Sequence, residues 1–195
     1  MAYNSIPSLK KAMERVLGLH QDYPANRSRL VGKNQPNPRW KKAKEIPGLR
    51  ERMQKQLNQP VGPRNCIHCH NIYDGWRNTA YDQDTFKTED LWLYPLPENI
   101  GLKIDVDEGN VIESVLLNPA TTGIDLKVGD RIQTANGQSI ISVADLQWVL
   151  NGLPAEAKLN LRVEREGSLL KRTIYLRGDW RKTDISWRAS MWNLR

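Results

Sequence analysis

The sequence predicts an α+β protein, with a basic helical part ahead of a compact strand-rich part. Apolar residues recur at helical spacing near the amino terminus, in SIPSLKKAMERVLGLHQDYP. From residue 96 the texture changes to short alternating runs separated by turn signals. Charge also divides the chain. Residues 1–65 hold 14 Lys and Arg against 4 Asp and Glu, whereas residues 66–178 hold 11 against 16. A basic segment therefore joins a mildly acidic globular one.

In the first helix, Leu9, Ala12, Met13, Val16, Leu17 and His20 fall on one stripe, which the pattern predicts to be buried. Ser5 or Ser8 caps its start and Pro24 closes it. The stretch 21–45, rich in Pro, Asn and Lys, reads as an irregular connection. EIPGLRERMQKQLNQ reads as a second helix with Ile46, Leu49, Met53 and Leu57 on one face, ended by Pro60, Gly62 and Pro63. GLKIDVD and NVIESVLL then read as a first strand pair. GDRIQTANGQSI follows with an Asn-Gly turn, then a helix in SVADLQWVLNGL. AKLNLRVERE and LLKRTIYLR form a last hairpin across Glu-Gly-Ser. The tail holds Trp180, Trp187 and Trp192, too much aromatic surface to leave in water, so it is expected to pack back on the body.

These elements predict a region over 1–95, a strand module over 96–178 and a tail over 179–195. With 39% hydrophobic residues in 195, the chain suffices for one good core or two small ones. No apolar run reaches the ~18 residues of a membrane span. The start MAYNSIPSLKKAMERV lacks the features of a secretory signal. The expectation is that a signal has been removed or that this is part of a longer exported protein, with a cytosolic protein as the remaining possibility. The Lys and Arg of the basic segment are spread among prolines with no nucleic-acid motif beside them. They read as a solvated surface or a docking face for an acidic protein, and no nucleic-acid partner is expected. No Ser/His/Asp set or paired acids at recognisable spacing points to hydrolysis.

Both cysteines and two of the three histidines lie in CIHCH, residues 66–70. Three chemistries compete. In a covalent haem site, Cys66 and Cys69 bind the porphyrin vinyl groups and His70 is the proximal iron ligand, with haem c as cofactor. A zinc site would use Cys66, His68, Cys69 and His70, but four ligands within five residues wrap one tetrahedral ion poorly. A dithiol pair or disulfide is the third, without the strand-to-helix context of a thioredoxin-like site. Haem leads because the spacing suits it, and the other two stay open. His68 then becomes a pocket or surface residue, and Tyr73 and Trp76 could shield the porphyrin. The distal iron ligand would be His20 first and Met191 second, with Met13 and Met53 behind them. An iron open on that side would instead suit a sensor or haem enzyme.

The strand module resembles PDZ domains, especially those of exported bacterial proteins. NIGLKI (99–104) looks like the carboxylate-binding loop and second strand of that family. VGDRIQTANGQSI looks like its Gly-Asp and Asn-Gly segment, and SVADLQWVL like its second helix. One departure is PATTGIDLKVGD, a residue longer than the usual pattern, with Gly123 displaced. The resemblance implies a small β-sandwich or barrel with flanking helices that takes up a peptide as an added strand. The N–H groups near Ile100, Gly101 and Leu102 would hold a partner's terminal carboxylate, the strand would continue through Ile104, and Val143, Gln147 and Leu150 would line the groove. CIHCH, LWLYPLPENIGLKIDV and DWRKTDISWRASMWNL together look similar to a planctomycete-type exported family joining a Cys-x-His-Cys-His segment to a C-terminal PDZ domain. That resemblance implies a periplasmic or cell-envelope setting.

The leading functional expectation is a haem electron carrier. An acidic redox protein or membrane complex would be its partner, and the PDZ-like module would dock it to a partner's C-terminal peptide. A non-redox peptide-binding scaffold whose Cys–His segment holds zinc or a disulfide is the alternative. A thiol or haem-dependent oxidoreductase or sensor is the second alternative.

Overall fold

The computed structural model describes residues 6–31, 39–49 and 69–184. These fall into two compact units, one of residues 6–31 with 92–183, the other of residues 39–49 with 69–91 and 184.

In the first unit, β1 (Leu102–Ile104) pairs antiparallel with β2 (Ile112–Val115). A four-stranded antiparallel sheet contains β3 (Arg131–Ala135), β4 (Gln138–Ser139), β5 (Ala157–Arg165) and β6 (Ser168–Leu176), in the order β4-β3-β5-β6. A Val111–Arg131 bridge links the two sheets. Strand period explains β5: Leu159, Leu161 and Val163 are buried, while Lys158, Asn160 and Arg162 between them face water. Both tight hairpins use a left-handed pair, Asn136–Gly137 and Glu166–Gly167. Two left-handed central residues match the twist of the strands they join.

Between β4 and β5 lies helix α4 (Val143–Asn151). Ser142 caps it, accepting the Asp145 N–H, while the Asp145 carboxylate accepts the N–H groups of Ser142 and Ile141, each at 3.0 Å. Leu146 and Leu150 enter the core beside Ile100, Leu102, Ile112, Ile132, Ile174 and Leu176. Trp180 packs back on this core at 6% exposure, its indole N–H donating to Ala155 O at 2.7 Å. Trp187 and Trp192 lie outside the described residues.

Helix α1 (Ile6–Gln21) forms where the sequence predicts it, but its predicted burial is corrected. Leu9, Met13, Val16 and Leu17 are all more than half exposed, and His20 is exposed with them. The opposite face makes the attachment. Arg15 donates to Asp107 O at 3.1 Å and to Ile141 O, and Lys11 reaches Glu108 at 3.2 Å. The strand module closes its own core, so the helix joins it through cations spaced four apart. Helix α1 thus lies in the same unit as the strands. A four-residue helix, α2 (Arg27–Leu30), follows α1.

In the second unit, 3-10 turns at Ala43–Glu45 and Pro47–Leu49 stand where the second helix is expected to begin. The rest of that helix, including Met53 and Leu57, lies outside the described residues. Helix α3 (Cys69–Asp82), which the apolar pattern did not announce, packs on the Pro47–Leu49 turn. Ile46 and Leu49 are buried against Trp40 and Ile72. The Thr79 hydroxyl accepts the Gly48 N–H at 3.0 Å and donates to Gly75 O at 2.7 Å. The backbones approach closely there, because a Cβ on Gly48 would lie 2.4 Å from Gly75 O.

Candidate peptide-binding site

The first unit presents β1 at a sheet edge, and its register sets what that edge offers. Leu116 N–H donates to Gly101 O at 2.8 Å, and Asp105 N–H to Val111 O at 2.9 Å. Lys103 stands opposite Ser114 between them, with a bulge after it. Hydrogen-bonded and non-hydrogen-bonded pairs alternate along an antiparallel ladder. The peptide groups of Leu102 and Ile104 therefore turn away from β2. Their side chains, with that of Ile100, are buried, so these residues can meet a ligand only through the main chain.

Ahead of β1, Pro97–Ile100 forms a 3-10 turn that Gly101 closes at φ 81°. Asn99 N–H donates to Leu96 O and Gly101 N–H to Glu98 O, both at 3.0 Å. Glycine is required twice over at 101. The conformation is left-handed, and a Cβ would lie 2.5 Å from Thr121 Oγ1 and 2.7 Å from Asn118 Cβ. Asn118 also donates to Asn99 O at 3.0 Å, tying the loop to the turn after β2.

On α4, Val143 and Gln147 are half-buried and Leu150 is fully buried. The Gln147 amide donates to Tyr94 O at 3.1 Å, and Tyr94 N–H donates to Asn151 Oδ1 at 2.9 Å. Side chains four apart on one helix face thus hold both main-chain polar groups of one residue in the segment ahead of the loop. Tyr94 sits at φ 54°, an uncommon conformation for a residue with a Cβ. This segment is also fixed to the chain after β6, since Trp92 Nε1 donates to Thr183 O at 3.0 Å and Asn99 to Thr183 Oγ1 at 2.9 Å. Arg181 donates to the carbonyls of Leu150 and Leu153 at the end of α4, and burial pushes its guanidinium below the usual arginine range. Tyr94, Asn151 and Arg181 went unread in the sequence, where no local pattern marks contacts made across 28 or more residues.

The turn between β1 and β2 carries a chain of charges. Lys11 meets Glu108, Glu108 meets Arg131 at 3.3 Å, and Arg131 donates to Asn110 at 2.8 Å. Buried Asn110 donates to the carbonyls of Ile132 and Ile140. Hydrogen bonds from Lys11 and Arg131 hold the Glu108 carboxyl below the usual range.

Of the haem candidates, Cys66, His68, Met53 and Met191 lie outside the described residues. Cys69 and His70 open the first turn of α3, though their side chains are likewise outside the description. Tyr73 and Trp76 on the same helix meet edge to face, ring centres 5.4 Å apart. His20 belongs to the first unit and His70 to the second. Two thiols and an imidazole in this order are a donor set that fits covalent haem. No helix among the described residues is long and apolar enough to cross a membrane.

The family model for the PDZ domain matches residues 98–176. Over 80 residues, 40% of this chain, the sequence is 41% identical to a "Probable periplasmic serine endoprotease DegP-like" from Pseudomonas savastanoi pv. phaseolicola. The match spans 16% of that relative's length. With a strand edge left unpaired among the described residues, a loop closed at Gly101 and the α4 helix inside the matched range, residues 98–176 are a PDZ domain.

Proposed function

We propose that this chain is a protein-binding module whose PDZ domain takes an extended segment of a partner as an added strand on β1, beside α4. The observation that carries the reading is the alternation along β1, which leaves the peptide groups of Leu102 and Ile104 facing away from β2. Main-chain hydrogen bonds would supply affinity, and side chains facing Val143 and Gln147 would supply selection. The domain match favours this scaffold reading over the electron carrier, which rests on motif spacing. The relative is named as periplasmic, and we carry that compartment to this chain as part of the proposal. Titrating the full chain with peptides selected from a displayed library tests it. Saturable binding that Val143→Asp weakens about tenfold is expected from loss of an apolar contact. Selected peptides that bind wild type and variant alike would remove α4 from the site.

A second reading attaches haem to Cys66 and Cys69, with His70 as an iron ligand. It is favoured by the placement of Cys69 and His70 together in the first turn of α3, and by the resemblance of CIHCH, LWLYPLPENIGLKIDV and DWRKTDISWRASMWNL together to the planctomycete-type exported family. Bound haem would supply one-electron chemistry. The chain's own part would be ligation, an apolar shield from Tyr73 and Trp76, and a basic surface toward an acidic redox partner. A Soret band with the matching mass increase, after expression with haem-attachment machinery, supports it; unmodified mass under those conditions ends it.

A further inference from the structure

The loop that opens β1 is poorly equipped to hold a terminal carboxylate. A carboxylate needs convergent N–H donors or a cation. Pro97 has no N–H, and the N–H groups of Asn99 and Gly101 are committed to Leu96 O and Glu98 O at 3.0 Å. Ile100 N–H closes the same 3-10 turn on Pro97 O, so of the N–H groups of Ile100, Gly101 and Leu102 the last alone turns outward. The charge nearest this turn in sequence is Glu98, which is exposed and negative. Between residues 94 and 104 the single cation is Lys103, held at 2.6 Å from Glu113, and Lys182, whose carbonyl accepts from the Asn99 amide at 3.2 Å, has its ammonium over the Trp92 ring.

The edge beyond the loop has the opposite character. Leu102 and Ile104 turn away from β2 two residues apart, the repeat at which a neighbouring strand places its own donors and acceptors. Each contributes one N–H and one C=O to that edge. The offer is a ladder for the middle of a strand, without a cradle for its end.

We infer that the PDZ domain of this chain recognises an internal extended segment of a partner protein, not a free C-terminus. The inference rests on the strand-addition reading above and specifies its ligand class. Leu102 and Ile104 carry the main-chain pairing, and Glu98 with the closed Pro97–Gly101 turn selects against a terminal carboxylate.

The test uses the full chain and two matched libraries of apolar decapeptides, one displayed with free C-termini and one embedded within a longer chain. Enrichment is expected from the embedded library. A selected peptide is then expected to bind within about twofold whether its C-terminus is free or amidated, with amide shifts at Leu102 and Ile104 in NMR titration. Enrichment confined to free C-termini, with about a tenfold loss on amidation, overturns the inference while leaving strand addition standing. Binding from neither library, or shifts that spare β1, overturns the strand-addition reading and the inference with it.

Discussion

Arg165 grips Asp130 through two parallel hydrogen bonds, Nε to Oδ1 at 2.7 Å and Nη2 to Oδ2 at 2.9 Å. The Asp130 side chain has no solvent exposure and also accepts the Lys127 N–H at 2.9 Å. Arg165 reaches Asp125 as well, at 3.1 Å, and Arg172 holds Asp125 from the neighbouring strand. One carboxylate thus fixes the turn before β3 to the β5–β6 hairpin. Asp130→Ala is expected to cost about 2 kcal/mol, the loss of charge-assisted hydrogen bonds in a buried site. Urea unfolding followed by circular dichroism measures it, and an unchanged midpoint would make the contact ornamental.

The same site sets an acid limit. Burial opposes ionisation of Asp130, but Arg165 and the Lys127 N–H outweigh it and hold the carboxyl below the usual range. Hydrogen bonds from Arg172 and Arg165 lower Asp125 likewise. A carboxyl lowered in the folded state contributes stability that is complete above its unfolded value near about 4 and lost as pH falls through the folded value. Stability of the strand module should therefore be flat in pH from neutral to about 5 and decline below about 4. Asp130→Asn should shallow that decline; identical acid profiles would assign it to other groups.

Gly101→Ala meets two obstacles, a φ of 81° and a Cβ 2.5 Å from Thr121 Oγ1. Left-handed backbone costs an L-residue about 1–2 kcal/mol, and overlap adds to it. A Gly101→Ala, Thr121→Ser double variant keeps the Thr121 oxygen and should recover little. Thermal unfolding of both variants checks this, and full recovery would show that the obstacle is the Thr121 methyl.

Arg15→Ala removes the donor to Asp107 O and Ile141 O. Because α1 contributes cations and not core to the module, the expected effect is local. Amide exchange should quicken across residues 6–21 while β5 and β6 stay as protected as before. Equal loss of protection in the strands would mean that α1 is integral to the domain.

In the second unit, Gly48→Ala should destabilise more than Gly75→Ala. A Cβ at 48 meets the Gly75 carbonyl oxygen at 2.4 Å, whereas one at 75 meets Leu49 side-chain atoms, which can move, at the same distance. In α3 the second change also gains about 1 kcal/mol of helix propensity. Comparing melting temperatures of the two variants decides the order.

Much of the strand module was legible because its cues are local. Asn136–Gly137 and Glu166–Gly167 announce their turns, and β5 alternates residue by residue. Helix α3 was not legible, since Gly75, Arg77 and Thr79 are buried where an amphipathic pattern looks for apolar stripes. The α1 stripe was legible as a helix and misleading as to burial. Periodicity reports which residues share a face, and says nothing of whether another surface covers that face.

The strands, their turns and the PDZ motifs of residues 98–176 could be read from the chain alone, because each depends on neighbours within a few positions. Tertiary structure decided what the site can offer. The commitment of Gly101 N–H to Glu98 O follows from the closure of the loop. The hold of Gln147 and Asn151 on Tyr94 joins residues more than 50 apart in the chain. Such bonds follow from where the folded elements come to rest, and no spacing within the sequence encodes them.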